Sequence, residues 1–296
     1  MAWDRHRVIF RLRSPLHVGY RKVGNLMQTR HYVHGKILWA ALTARLTRDH
    51  DNGADGQAYK TTGDDVKKHF RFGYLWPAIP CGDTVRNWDD VKTLFPSDWN
   101  GADLECLKKI FPHPKVLKKD EPTFDYLFLD SYASTASSPH SRGALEGSLH
   151  DTEFITPRTR DDGRQVYLAG SLWVKAEELP EKLERWKDKL NDLRFGGEGS
   201  YGWGRVQQIY CAIERNDPID PTGFSWSGPI PAHVEAEGAE QMIQGPIEPL
   251  VGWEMQKNGG QKPGEATIAF IPGYSAGTGT AKFAIGMFGV WTVKYE

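Results

Sequence analysis

Apolar positions along the chain fall into strand-like alternations and helical stripes, and these set out its most legible elements. From His6 to Arg13, Val8, Phe10 and Leu12 alternate with Arg7, Ile9, Arg11 and Arg13. That period of two predicts a half-buried strand with a basic outer face. Pro15 and Gly19 predict a turn or bulge, and Tyr20 to His34 reads as a polar, basic surface loop. Gly35 opens the run KILWAALTARLTR, where Ile37, Leu38, Ala41, Leu42 and Leu46 fall at helical spacing. The start of that helix is expected to present free N–H groups that would welcome a phosphate.

Residues 49–122 carry no sustained period. Asp51 to Gly63 reads as a glycine- and acid-rich loop, Asp64 to Phe72 as a short helix, and six prolines from Pro77 to Pro122 punctuate the rest. This stretch is expected to be an insertion with short elements. Phe124 to Tyr132 and Ser148 to Thr156 then read as strands joined by the small, polar segment 133–147, a long hairpin arm with His140 and Arg142 near its tip.

Gln165 to Lys175 predicts a strand. Glu177 to Leu193 predicts a helix, with Leu179, Leu183, Trp186, Leu190 and Leu193 on one stripe. Val206 to Ile213 predicts a further strand, and beyond Asn216 a Gly- and Pro-rich tail holds strand-like pieces at 266–271 and 288–294. The order strand, helix, inserted hairpin, strand, helix, strand is that of an α+β, ferredoxin-like split βαβ unit, the architecture also used by RNA-recognition modules. The expected organisation is a domain over 1–215, interrupted at 49–122, and a smaller β-rich extension over 216–296.

Between the last predicted helix and strand lies LRFGGEGSYGWGRV, with Gly196, Gly197, Gly199, Gly202 and Gly204 inside nine residues. Glycine is needed where a backbone takes positive φ or lies flush against something large, and successive amides in such a loop form a concave nest for anions. Gly197, Gly199 and Gly202 also spell G-x-G-x-x-G, but the dinucleotide fingerprint needs a strand before and a helix after. Here the order is reversed, which excludes that reading. Arg194, Tyr201, Trp203 and Arg205 supply cations and aromatics suited to phosphate contact and base stacking. The alternative is a tight structural turn with core aromatics.

The 296 residues are 39% hydrophobic and 12% aromatic with mean hydropathy −0.54, a globular composition in one large or two small domains. No apolar run approaches the roughly 18 residues of a membrane span. MAWDRHRVIFRLR lacks the apolar core of a signal peptide. Cys81, Cys106 and Cys211 are odd in number and show no metal-ligand spacing. A cytoplasmic protein with neither metal nor cofactor is therefore expected. Net charge is −1, yet residues 1–48 carry ten cations against the single acid Asp4, and from Ala212 onward ten acids face five cations. That asymmetry suggests one face for a polyanion.

Three stretches together resemble the RAMP superfamily of CRISPR-associated proteins, and in particular subunits of type III effector complexes. They are FRLRSPLHVG with TRHYVHGKILWAALTARL, then GSLHDTEFITPRTRDDGRQVYLAGSLWV, then the glycine-rich LRFGGEGSYGWGRV, spread over roughly the first 210 residues. At Val33-His34-Gly35 the chain departs from the family, which usually has a proline before the glycine. The resemblance implies a subunit that holds CRISPR RNA by its backbone, with other effector subunits and target RNA as further partners. It places His17, Arg21, Lys22, Arg30, His34 and Lys36 on the guide beside Gly196, Gly197, Gly199, Ser200, Tyr201, Trp203 and Arg205. The arm from Ser134 to Gly147, with Arg142, would be a thumb wedged between bases.

Target-cutting members of this group use an aspartate between the first strand and first helix. The segment Gly19 to His34 contains no Asp or Glu, so the resemblance implies a non-catalytic subunit holding the 5′ tag of the guide. The alternatives are a target-cutting backbone subunit and a metal-independent endoribonuclease that processes precursor guide RNA. For the latter His17, Tyr20, His31, His34 and Lys36 are candidates by residue type. Asp161 and Asp162, among Arg158, Arg160 and Arg164, read as a solvated hairpin tip rather than a metal site.

Overall fold

Tyr167–Val174 is buried at every one of its eight positions, and the remaining elements are laid around it. The computed structural model describes residues 2–50, 55–99, 104–138, 143–175, 177, 179–215, 219–256, 259–277 and 280–295. The first half runs β1 (Asp4–Leu12), β2 (Gly19–Val23), β3 (Leu26–Thr29), α1 (Gly35–His50), α2 (Gly56–His69), β4 (Phe70–Phe72), β5 (Trp76–Pro80), β6 (Val91–Phe95), α3 (Leu104–Lys108) and β7 (Lys115–Val116). There follow α4 (Phe124–Phe128), β8 (Leu129–Ser134), β9 (His150–Ile155), β10 (Tyr167–Val174), α5 (Glu181–Glu184), α6 (Trp186–Lys189) and β11 (Val206–Ile213).

The main sheet has the order β11-β1-β10-β5-β6-β7, with β4 also on β10. β1 lies antiparallel between β10 (Asp4↔Val174 to Arg11↔Tyr167) and β11 (His6↔Ile213 to Leu12↔Val206). β4 and β5 pair antiparallel with the two ends of β10 and behave as one interrupted strand. Their junction presses on Gly170, where a Cβ would lie 2.3 Å from the Tyr74 carbonyl oxygen. Any side chain at 170 would drive these strands apart. Residues 70–80 lie in the stretch expected as an insertion, and they are the sheet's fourth strand position. Punctuation by prolines hid them, because a strand as short as WPAIP shows no alternation once both its faces are buried.

One face of the sheet is covered by α1 and by the segment 179–193, through Val8, Phe10, Leu12, Leu38, Leu42, Leu183, Trp186 and Leu190. The predicted helix 177–193 is broken at Arg185 into α5, α6 and the single turn Leu190–Asp192. Its apolar stripe faces the core nonetheless. The opposite face, expected to be basic and open, is covered as well. Ile9, Ala78 and Ala169 meet Trp88 and Val91, while Trp76 and Trp173 pack into a C-terminal cluster with Trp226, Phe283 and Trp291. The cations of β1 are therefore spent inside the fold. Arg5 is 1% exposed and donates to Ser171 and to the Lys109 carbonyl, Arg7 pairs with Glu214, and Arg11 donates to Gln165 at 3.0 Å.

Three local expectations change. α2 runs Gly56–His69, so most of the expected loop is helical, and Phe70–Phe72, expected to close a helix, is strand β4. Within 20–34, Val23 and Leu26 flank a turn at Gly24 (φ 59°) and close a β2–β3 hairpin. Phe124 to Phe128 is helical: Thr123 caps it by accepting from the Tyr126 amide, and Phe124, Leu127 and Phe128 point inward at helical spacing. The arm itself is antiparallel, from Leu129↔Ile155 to Ser134↔His150. β9 also accepts β3 in parallel, forming the sheet β2-β3-β9-β8.

The C-terminal region adds β12 (Phe224–Trp226), β13 (Val234–Glu235), β14 (Ile247–Leu250), β15 (Trp253–Met255), β16 (Gln261–Pro263), β17 (Thr267–Phe270), β18 (Ala281–Ile285) and β19 (Trp291–Val293). Six of these form the sheet β12-β18-β19-β13-β17-β14. Indole N–H groups tie it down: Trp76 donates to the Pro231 carbonyl at 2.9 Å and Trp173 to that of Ile219 at 2.7 Å.

Burial also removes histidines from water as neutral rings. His6, 2% exposed and edge-on to Trp186 at 5.0 Å, is pushed down to about 4 by burial and then by Lys187. His34 is pushed down to about 3, again mainly by burial, and His233 is lowered for the same reason. The unfolded chain binds protons on these rings below their ordinary value while the folded one does not, so stability present above that value is lost as pH falls. Urea unfolding between about pH 6.5 and about pH 4 is expected to show stability falling by up to about 1.4 kcal/mol per pH unit for each such ring. His6→Phe is expected to flatten the slope, and an unchanged slope in that variant would show that His6 is not buried as a neutral ring.

Candidate nucleic-acid interface

The glycine loop leaves the core at two buried anchors, Phe195 and Val206. Beside them Arg194 and Arg205 face each other as an antiparallel bridge, and both are exposed. Three loop amides hold the loop against the segment after β1. The Gly197 N–H donates to the His17 carbonyl at 2.9 Å, Gly204 to that of Pro15 at 2.7 Å, and Arg205 to the Ser14 hydroxyl at 2.9 Å. Close backbone approach accounts for two of the glycines, Gly196 against the segment after β1 and Gly204 against the loop's own base. At Gly196 (φ 73°) a Cβ would lie 2.1 Å from the His17 oxygen, and at Gly204 (φ 74°) 1.9 Å from the Phe195 oxygen.

At the tip the chain turns over. Glu198 is left-handed (φ 57°, ψ 24°) and is followed by the right-handed 3-10 turn Gly199–Tyr201. A left-handed residue next to a right-handed one points successive amides to one side, which is nest geometry. The N–H groups of Glu198, Gly199 and Ser200 donate to no acceptor among the described residues. Tyr201 is 80% exposed beside them, and Trp203 packs on Phe154 of β9 with ring centroids 5.0 Å apart.

Behind the nest an open groove of about 1050 Å³ runs between the loop and the Ala41–Arg48 face of α1. Arg13, Arg45, Arg48, Arg194 and Arg205 line it, against the one acid Asp192. Arg13 is oriented by Gln207 (2.9 Å), Arg45 by Asp49 (3.1 Å), Arg48 by the Tyr59 hydroxyl (3.1 Å) and Arg194 by the Gly199 carbonyl (3.0 Å). The Arg205 guanidinium has no partner among the described residues. Such a groove offers several point charges to a polyanion and three main-chain donors to one of its oxygens.

The sequence-based candidates divide into two groups. His17 lies under the loop with Nδ1 2.7 Å from the Glu153 carbonyl oxygen. Gly196, Gly197, Gly199, Ser200, Tyr201, Trp203 and Arg205 are beside it. Arg21 and Lys22 sit on the exposed strand β2, joined to the same surface through β9, whose Glu153 carboxylate accepts the Thr29 amide at 2.9 Å. Arg30, His34 and Lys36 are elsewhere. Arg30 pairs with Glu248 at 2.5 Å, His34 is half-buried and held neutral, and the Lys36 ammonium lies 5.1 Å from the Phe288 ring and 3.9 Å from Glu254. Arg142 and His140 lie outside the described residues.

The start of α1 is therefore not the open phosphate site expected from sequence. Gly35 is buried so closely that a Cβ would fall 2.3 Å from the Phe288 carbonyl oxygen. The basic groove lies toward the other end of that helix, about 18 Å along from Lys36 to Arg48 at 1.5 Å per residue. Arg45 and Arg48 also complement the negative end of the helix dipole. Among the groove residues, Arg45 and Arg48 were not singled out in the sequence, although Ala41, Ala44, Arg45 and Arg48 at helical spacing form one small-plus-basic face that carries the signal. Asp161 and Asp162 both pair with Arg164, as a hairpin tip would.

Taken together, the chain is an α+β protein with an exposed glycine nest and an arginine-lined groove beside it. Among the described residues no helix is long and apolar enough to cross a membrane. No family model and no curated protein matches the chain in sequence. In structure it shares its fold with a chain of the type III-B Cmr-beta complex bound to cognate target RNA and AMPPnP, at a TM-score of 0.51 and 12% identity, over 91% of this chain and 85% of that one. Two more chains, from Cmr-beta bound to cognate target RNA and from its apo state, align at TM-scores of 0.39 and 0.38 with 9% and 11% identity. They cover 69% and 72% of this chain and 96% and 98% of theirs.

The two kinds of loop glycine separate in a stability measurement. Gly204→Ala is expected to cost at least about 2 kcal/mol, since it adds left-handed strain to a clash with backbone. Gly199 lies in the right-handed turn at the tip, with no atom within 4 Å of where a Cβ would stand. Gly199→Ala is therefore expected to stay within about 0.5 kcal/mol of the parent. Equal losses in urea unfolding would show that the loop is not anchored in this way.

Proposed function

We propose that this chain is the CRISPR-RNA-binding subunit of a type III-like RNA-guided effector, non-catalytic and holding the 5′ region of the guide. The observation that carries the reading is the nest at Glu198 to Ser200 opening beside five arginines. Main-chain donors and guanidinium groups together suit a ribose-phosphate backbone and are indifferent to base sequence. The strand order β11-β1-β10-β5, with helical segments following β1 and β10, agrees with a ferredoxin-like βαββαβ domain of the RAMP kind, here over 1–215, with 216–296 as its β-rich extension. The β8–β9 arm is the proposed thumb, and the fold shared with a Cmr-beta chain supports an assembly with other effector subunits in the cytoplasm.

The test is retention of guide RNA on co-expression with the neighbouring subunits, followed by salt titration. Arg194→Ala with Arg205→Ala is expected to weaken retention and to reduce the slope of log K against log salt by about 1.4, at about 0.7 for each single-strand phosphate that is no longer neutralised. Lys36→Ala is expected to leave that slope unchanged. Unaltered retention in the double arginine variant would make the loop a purely structural turn.

A further inference from the structure

A second cavity, of about 190 Å³, opens where the β2–β3 hairpin meets the C-terminal sheet. It is smaller than the roughly 300 to 1,000 Å³ of sites for drug-sized ligands, so it admits a single ring system. Tyr20, Tyr32, Trp99 and Tyr274 supply aromatic walls, and Arg30 and Glu248 a polar edge. The walls are held in place from behind. Trp99 stacks on Phe95 at 4.3 Å, and its indole lies flush on Gly273, where a Cβ would come within 2.6 Å of Nε1 at φ 102°. At the mouth Tyr20 is 43% exposed, with the Arg30 guanidinium 4.7 Å from its ring.

The polar edge is fixed by a chain of hydrogen bonds. The Tyr74 hydroxyl donates to His233 Nδ1 at 2.6 Å, leaving Nε2–H to donate to Glu248 Oε1 at 2.6 Å, and Arg30 Nη1 donates to that same oxygen at 2.5 Å. Glu248 Oε1 is thereby saturated. Glu248 Oε2 and the Nε and Nη2 groups of Arg30 have no partner among the described residues. An unused acceptor and unused donors thus stand side by side. Arg30 and Glu248 cancel each other's charge and the exposed Asp98 adds a carboxylate to the lining, so a phosphate finds no free cation there. What fits without displacing either is a neutral planar ring with a donor and an acceptor on one edge, its faces against aromatic side chains.

We propose that this pocket holds one nucleobase, edge toward Arg30 and Glu248. The source is an unstacked nucleotide of bound RNA or a free nucleotide, and in the first case the inference rests on the RNA-binding reading above. Tyr20 shares β2 with Arg21 and Lys22, so a strand of RNA crossing the exposed hairpin reaches the mouth of the pocket.

The whole chain is titrated with the four nucleoside monophosphates and, separately, with inorganic phosphate, read by saturation-transfer NMR. In parallel, guide RNAs with one abasic site at each position in turn are tested for retention. At least one nucleotide is expected to bind, uncompeted by phosphate, and Tyr20→Leu with Tyr274→Leu to weaken it about tenfold. One abasic position is expected to weaken retention in the parent and not in that variant. Competition by phosphate, or the absence of any nucleotide signal and any sensitive position while intact guide is retained, overturns the base pocket and leaves the RNA-binding reading standing. Nucleotide binding without guide retention does the reverse, and failure of both arms removes both.

Discussion

Both faces of β10 are out of water, and that requirement organises the rest of the molecule. A strand buried on two sides must find a layer for each, and the chain supplies them from distant places: α1 and the segment 179–193 on one side, the residues around Trp88 and the C-terminal sheet on the other. The second layer decides where charge can remain free. Arg5, Arg7 and Arg11 would face solvent on a half-covered sheet, and beneath a second layer they become donors that satisfy a hydroxyl, a carbonyl, a carboxylate and an amide. The exposed basic groove is left to arginines that project from α1, from the end of β1 and from the glycine loop.

The loop obeys a related rule at the level of single amides. Buried or crowded backbone N–H groups need acceptors, and this loop finds them partly within itself and partly in the residues just after β1. The glycines at 196 and 204 exist for that close approach rather than for a ligand. Only where the chain reverses, at Glu198 to Ser200, do three successive amides escape internal use. Anchoring and exposure of donors are thus divided between different glycines of one motif: those at the base hold the loop, and the turn at the tip leaves amides unused.

The same division separates the basic residues of the first third. Arg30 and Lys36 resemble phosphate ligands in sequence, yet each meets an acid from the C-terminal region, Glu248 and Glu254. The acidic excess after Ala212 is in part the counter-charge for the basic excess before Arg48. This pairing closes the start of α1, ties the C-terminal region to the domain, and builds an aromatic-walled cavity at the seam.

From its sequence alone the chain determined β1, α1 and β11, each with a periodic apolar signal over eight or more residues, and β10, whose apolar run is long enough to read as a strand without alternation. It also determined the glycine loop, whose composition has few other uses, and the β character of the tail. Local pattern was silent on β4 and β5, on the hairpin β2–β3, and on the helical start at Phe124, since runs of three to five residues are too short to show a period. Which cations stay free, which glycines anchor, and what covers the second face of the sheet were decided only in the tertiary structure. Much of this depends on partners more than a hundred residues away, such as Arg30 with Glu248 or Gly35 with Phe288, and a sequence read locally contains no term for contacts between such distant positions.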